Sequence, residues 1–330
     1  MTAAHERSAA VAGESASLVE LFGRMALIRA FETTVTELYR DSEIPGFVHT
    51  SLGQEAVAVG VCSVLAADDY LATTHRGHGH CLAKGADVDG MMAELFAKAT
   101  GLCHGKGGSM HVADPARGIL GANAIVGASI PLAVGAGLSS KLLAQGRVAV
   151  AFFGEGAANQ GAFHEAVNLA AIWELPVLFV CENNVYSEFS DSRKMSRVAS
   201  VAARTAAYGI GAVRVDGNDV TAVRDATISG VARCRGGEGP ILIEAETYRW
   251  QGHYEGDAQP YKPADESAAW RERDPLVLAR RRLVEDQQAT DDELDAAESR
   301  ARARVDEAVE RARAAADPEL EEAYADVFTD

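Results

Sequence analysis

Glu155 sits inside a glycine turn, Gly154-Glu155-Gly156, and Asn184 follows twenty-nine positions later in the pair Asn183-Asn184. A glycine-rich turn that opens onto a helix suits a phosphate, because unpaired backbone N–H groups converge there. A carboxylate in the middle of such a turn would repel that phosphate. A divalent cation resolves the conflict by bridging the carboxylate and the phosphate oxygens. The Asn184 side-chain oxygen and a turn carbonyl such as that of Tyr186 are hard ligands of the kind Mg2+ takes. Glu155, Asn184 and the backbone oxygen of Tyr186 are therefore a candidate set for a metal diphosphate.

The elements that must bring these residues together can be read on either side of them. Val148 to Phe153 is a continuous apolar run, as expected of a parallel strand covered on both faces. Phe163, Ala166, Val167, Ala170 and Ala171 recur at helical spacing. Pro176 stops that helix, and Val177 to Cys181 reads as the second buried strand. A strand–helix–strand unit this short predicts a right-handed crossover with parallel strands. Both strands then end on the same sheet edge, where open α/β sheets bind ligands. A dinucleotide turn fails on spacing, since GxGxxG needs glycine at 159 and that residue is Asn159. An ordinary turn with a solvated Glu is the blander reading. The asparagine pair at the end of the very next strand weighs against it.

The run GEGAANQGAFHEAVNLAAIWELPVLFVCENNVY resembles the thiamine-diphosphate motif in the alpha subunits of the 2-oxo acid dehydrogenase decarboxylases. That family includes pyruvate, branched-chain and acetoin dehydrogenases. Its motif begins GDG and ends NN, with the Asp and the second Asn as Mg2+ ligands. Glu155 replaces the Asp, keeping the charge and adding one methylene. The resemblance implies thiamine diphosphate and Mg2+ as cofactors. It also implies an α/β fold: an open, mainly parallel sheet with helices on both faces and helical extensions at the two ends.

The resemblance extends residue by residue along the chain. In GFVHTSLGQEA it carries a catalytic role onto His49, which on residue type alone reads as a solvated loop histidine. In TTHRGHGH it implies that His75 and Arg76 grip the diphosphate and that His78 is an active-site histidine. A planar, permanently charged guanidinium is apt for that anion. The backbone at Ala124 and Val126 would meet the aminopyrimidine ring, and Gly156 and Ala157 would offer N–H groups to the diphosphate. His253, in GHYEGDAQ, would face the reacting centre, where an imidazole suits proton transfer near neutral pH. Tyr254 stands where animal pyruvate dehydrogenases carry a regulatory serine. The wording GHYEGDAQ looks closer to acetoin dehydrogenase, which implies C–C cleavage of acetoin with acyl transfer to a lipoyl group. Pyruvate dehydrogenase, a two-subunit biosynthetic ketolase and a non-catalytic alpha paralogue remain as alternatives.

Partners are implied as well. Thiamine enzymes need a Glu that activates the aminopyrimidine, and in this family a beta subunit supplies it. A beta partner, an α2β2 tetramer and a lipoyl-bearing acyltransferase are therefore expected. Small residues Ala133, Gly135, Ala136 and Gly137 in the helix predicted from Pro131 imply close backbone packing, either within the chain or against another subunit.

Bulk properties bound the rest. A chain of 330 residues can hold one large α/β domain, and a net charge of −17 argues against nucleic acid or an anionic membrane as partner. The five cysteines are scattered without a CxxC, as fits a reducing cytoplasm. No apolar run is long enough to cross a bilayer. Residues 1–17 read as a disordered tail and 18–330 as the cofactor-binding domain with a C-terminal helical extension. His75, His78, His80, Cys81, Cys103 and His104 are zinc-type ligands, but their spacing fits no closed zinc module. GLCHGKGGSMH resembles a P-loop only superficially, because Gly107 follows Lys106.

Overall fold

The computed structural model describes residues 16–326. Its centre is a six-stranded, wholly parallel sheet formed by β1 (Tyr70–Ala72), β2 (Ile119–Gly121), β3 (Ala149–Gly154), β4 (Val177–Asn183), β7 (Gly211–Asp216) and β8 (Ile241–Glu246). The spatial order is β2-β1-β3-β4-β8-β7. A small antiparallel ribbon, β5 (Tyr186–Ser187) with β6 (Ser190–Asp191), follows β4. The order reverses between β1 and β3, so the carboxyl ends of those two strands flank a crevice of the kind that binds ligands.

Alternation along the strands sorts the core into two layers. Val150, Phe152, Leu178, Val180 and Ile243 face α1 (Leu18–Arg40), α2 (Glu55–Cys62), α4 (Val88–Leu95) and α7 (Val220–Arg235). Ala149, Ala151, Phe153, Phe179 and Leu242 face α5 (Ser129–Leu142) and α6 (Gly161–Ile172). The remaining helices are α3 (His78–Ala83), α8 (Ala264–Arg271), α9 (Pro275–Glu285) and α10 (Asp291–Ala314). α10 lies along α1 and α4. The predicted β3–α6–β4 unit is present, with β3 and β4 each within two residues of their expected bounds.

Helix ends follow their sequence signals. Ser17 with Glu20, and Thr290 with Glu293, form complete capping boxes, each cap contributing about 1 kcal/mol. Asp274 caps α9 and Asp219 caps α7. Ser17, the last residue of the expected tail, is instead the N-cap of α1. Residues 1–15 lie outside the described residues, while the Ala16 carbonyl accepts a bond from Arg224.

Three stretches are decided by tertiary contacts rather than by local signals. Ile119–Gly121, in the turn-like run ILGANAIVGA, is a strand paired with β1. Three residues are too few to show a period. α10 ends at Ala314, with Ala315 extended, short of the stop signal at Asp317–Pro318. The Ala316 carbonyl accepts from Ala99 and Asp317 pairs with Lys98. The polar residues 187–197 carry part of the ribbon and a short 3-10 turn held by Ser192 on the Val185 carbonyl.

The small-residue helix α5 divides its glycines. A Cβ on Gly137 would lie 2.6 Å from Val177, so that glycine serves packing within the chain. Gly135 has nothing near it and is exposed beside Leu132, leaving an open face.

Candidate active site

The sheet edge at the β1/β3 switch delivers the first group of residues. β1 runs out into Thr74, His75 and Arg76; β3 runs out into Glu155 and Gly156; β4 runs out into Asn184. β8 leads into Arg249 and His253. All of these, with Val126, Ala157 and Tyr186, line one cavity of about 280 Å³. That is just below the roughly 300–1,000 Å³ range of complete small-molecule sites.

On one wall are oxygen donors. The Glu155 carboxylate is buried, accepts the Asn184 backbone N–H at 3.2 Å and the Ser187 hydroxyl at 3.3 Å, and its pKa is raised by burial. Asn184 donates through its amide to Gln54 Oε1 at 3.2 Å, while its Oδ1 accepts the Tyr186 N–H at 3.4 Å. Val185 between them has φ +77°. That is a genuine outlier for a β-branched residue and costs on the order of 1–3 kcal/mol. Gly156 is required sterically, since a Cβ there would sit 2.3 Å from Ser187 Oγ. A Cβ on Gly154 would meet nothing within 4 Å.

On the other wall are cations and imidazoles. Arg76 is buried and donates to the Thr50 carbonyl at 2.6 Å and the His253 carbonyl at 3.0 Å. Burial, and then Arg249, bring its pKa down to about 9. Arg249 is wholly buried and clamps the β5–β6 ribbon through the Tyr186 and Glu188 carbonyls at 3.3 and 2.7 Å. It also reaches Tyr261 Oη at 2.9 Å and His253 Nδ1 at 3.4 Å, and its Nε has no partner. The three rings of His49, His75 and His253 meet edge to face, with centroids 4.7, 5.2 and 5.4 Å apart. Burial, then the Arg76 charge, lower their pKa values to about 3, 2 and 4 respectively. All three are neutral at pH 7.

Gly53, at φ +90°, lets the His49 loop tuck under Trp250; a Cβ there would lie 2.5 Å from the indole. This is how the GQEA segment reaches the loop that carries His253. Three sequence-chosen residues stand outside the cavity lining: His49, which meets it only through its ring contacts with His75 and His253, His78 and Ala124. His78 is fully buried, bonded to Glu32 at 3.0 Å and Ser109 at 2.9 Å. Ala124 is flanked by lining residues Asn123 and Ile125 without lining the cavity itself. Sequence reasoning missed Arg249. Its signal was an arginine four residues before His253 on the same strand-end loop.

The His-rich segment is no zinc module. His80 bonds Thr73 at 2.8 Å and Glu182 at 3.1 Å and stacks on Phe152. The GKGGSMH loop is wound on Glu94, whose carboxylate accepts the N–H groups of Cys103, Gly105, Gly107 and Gly108 at 2.7–3.0 Å. A built-in anion thus fills the place that a phosphate holds in a P-loop. Lys106 pairs at the surface with Glu322 and Asp326.

A strand-edge carboxylate next to an asparagine thus lies across one cavity from two buried arginines. The family of the dehydrogenase E1 component matches residues 23–321. The chain belongs to that family. It is similar to the alpha subunit of acetoin:2,6-dichlorophenolindophenol oxidoreductase from Bacillus subtilis, 55% identical over 246 residues, 74% of each chain. The same subunit from Cupriavidus necator is 44% identical over 308 residues, 93% of this chain and 92% of that one. The pyruvate dehydrogenase E1 component alpha subunit of Rhizobium meliloti is 39% identical over 310 residues, 94% and 89% of the two chains.

Membership in the E1 family makes this chain an oxidoreductase component and implies thiamine diphosphate as its cofactor. The residues present fit that group. Arg249 Nε and Gln54 Nε2 are buried without partners, as donors awaiting an acceptor would be. The space above Gly154 is open to a ligand's approach. Among the described residues no helix is long and apolar enough to cross a membrane.

Proposed function

We propose that this chain is the alpha subunit of a two-subunit E1 dehydrogenase acting on acetoin. The observation that carries the diphosphate half of the reading is the oxygen wall of Glu155, Asn184 and Tyr186 facing Arg76 and Arg249 across one cavity. The substrate rests on the similarity to acetoin oxidoreductase alpha subunits.

Glu155, the Asn184 oxygen and the Tyr186 carbonyl hold Mg2+; the carbonyl's second lone pair remains available beside Arg249. Arg76, His75 and the backbone N–H groups of Gly156 and Ala157 take the diphosphate. Val126 and Ala124 border the aminopyrimidine. Thiamine diphosphate, when bound, supplies the electron sink for the C–C bond that breaks. His253 and His49 move protons and orient the substrate at the cavity mouth, and they stay neutral because Arg76 and burial disfavour imidazolium. His78 acts at a distance, fixing the Arg76 segment through Glu32 and Ser109.

The aminopyrimidine of the cofactor needs an acid that activates it. A beta subunit supplies it across the open α5 face, in an α2β2 tetramer, and a lipoyl-bearing acyltransferase receives the acyl group. We place the assembly in the cytoplasm, in line with five free cysteines.

The test is an assay of the chain alone and with its beta subunit, using acetoin or pyruvate and an artificial electron acceptor. The proposal expects no turnover by the chain alone and turnover of acetoin by the pair. Full turnover by the isolated chain would contradict the half-site. Turnover of pyruvate but not acetoin would overturn the substrate.

A further inference from the structure

His49, His75 and His253 come from three separate loops, yet each offers a ring nitrogen within 4.8 Å of the other two. Edge-to-face contacts lock the three rings together. His49 Nδ1 is buried and has no hydrogen-bond partner, in a residue only 8% exposed. Arg249 occupies His253 Nδ1, which leaves Nε2 of that ring for another ligand. One orphaned imidazole nitrogen, on His49, within a converging trio gives the donor set of a three-histidine metal centre with one open position.

We propose that the trio is an inhibitory binding site for Zn2+ or a similar borderline transition metal at the mouth of the cavity. Ligand chemistry separates it from the Glu155 wall. Imidazole nitrogens select Zn2+, Co2+ or Cu2+, whereas carboxylate, amide and carbonyl oxygens select Mg2+. A tetrahedral zinc with bonds of 2.0–2.1 Å needs its nitrogens roughly 3.4 Å apart, so closure takes ring movements on the order of 1 Å. The Arg76 and Arg249 charges oppose a cation here. Asp257, whose carboxylate accepts the His253 backbone N–H at 2.7 Å, offsets part of that repulsion. The affinity is therefore below that of a structural zinc site. Occupation would tie up all three imidazoles at once and stop turnover without displacing Mg2+.

The experiment uses the full-length, untagged chain. Zn2+ is titrated against a chromophoric chelator, and Co2+ is added as a spectroscopic probe. The inference expects one Zn2+ per chain and visible ligand-field bands of four-coordinate Co2+. His49→Ala, His75→Ala and His253→Ala should each weaken Zn2+ binding at least tenfold, while Glu155→Gln changes it less than twofold. In the assembled enzyme, Zn2+ should inhibit at concentrations near its dissociation constant, and excess Mg2+ should not relieve it. Two results would overturn the inference. One is Zn2+ affinity unchanged in any of the three variants. The other is Co2+ without four-coordinate bands in the parent, a measurement that needs no variant to fold. Neither result bears on the Mg2+ diphosphate reading, which has its own tests.

Discussion

The backbone N–H of Asn184 donates to the Glu155 carboxylate across 3.2 Å, joining the ends of two adjacent parallel strands. Among the described residues Glu155 has no close ion-pair partner, and burial raises its pKa. A divalent cation at this point would remove that penalty. The left-handed Val185 that follows Asn184 turns the Tyr186 carbonyl into position for Arg249. Backbone strain at a strand end next to a carboxylate is the mark of a site rather than of a scaffold.

Arg249 joins the two walls, and lysine cannot replace it. Its fork holds two ribbon carbonyls and Tyr261 together, and a lysine is a single point charge. Arg249→Lys should destabilise the chain by about 2–3 kcal/mol, as expected for a broken buried network, and weaken thiamine diphosphate binding. Thermal unfolding with and without cofactor measures both. A variant that melts and binds like the parent would remove Arg249 from the site.

Glu94 makes a stability prediction separate from the chemistry. Four backbone N–H groups converge on its carboxylate, and an amide would point N–H against N–H. Glu94→Gln should cost about 1.5–3 kcal/mol by denaturant unfolding, with KM for substrate little changed in the enzyme that remains folded.

The histidine trio makes the fold sensitive to acid. The folded pKa values of about 3, 2 and 4 for His49, His75 and His253 lie below the ordinary 6.5. Below pH 6.5 the unfolded chain takes up protons that the folded chain refuses, so stability falls as pH drops. His75→Gln removes one such group. Relative to the parent, it should gain about 1 kcal/mol between pH 7.5 and pH 5, after allowance for solvent screening. Melting curves at the two pH values check this, and an unchanged parent–variant difference would contradict it.

Some of this was legible in the sequence and some was not, for physical reasons. The apolar runs of β3 and β4 announced buried parallel strands because helices cover both faces of the sheet. Thr290 and Glu293 carry a capping-box pattern that marks a helix start, because capping is local. β1 and β2 were hidden because each has three residues, too few for a pattern. Arg249 and Glu94 were hidden because their roles arise from groups brought together by the fold: a ribbon for one and a glycine loop for the other. His78 matched an active-site motif in sequence, but its ring is sealed between Glu32 and Ser109. The chemical kinship of Glu155 and Asn184 could be read because adjacent parallel strands end at the same edge.

The most direct measurement is a calorimetric titration of thiamine diphosphate into the assembled enzyme, with Mg2+ or with a chelator, for the parent, Glu155→Gln and Glu155→Asp. The Glu155–Asn184 edge as a metal-diphosphate site predicts tight binding by the parent only when Mg2+ is present. Glu155→Gln should lose at least tenfold in Mg2+, and Glu155→Asp should retain binding. Equal affinity of Glu155→Gln and the parent in Mg2+ would contradict it.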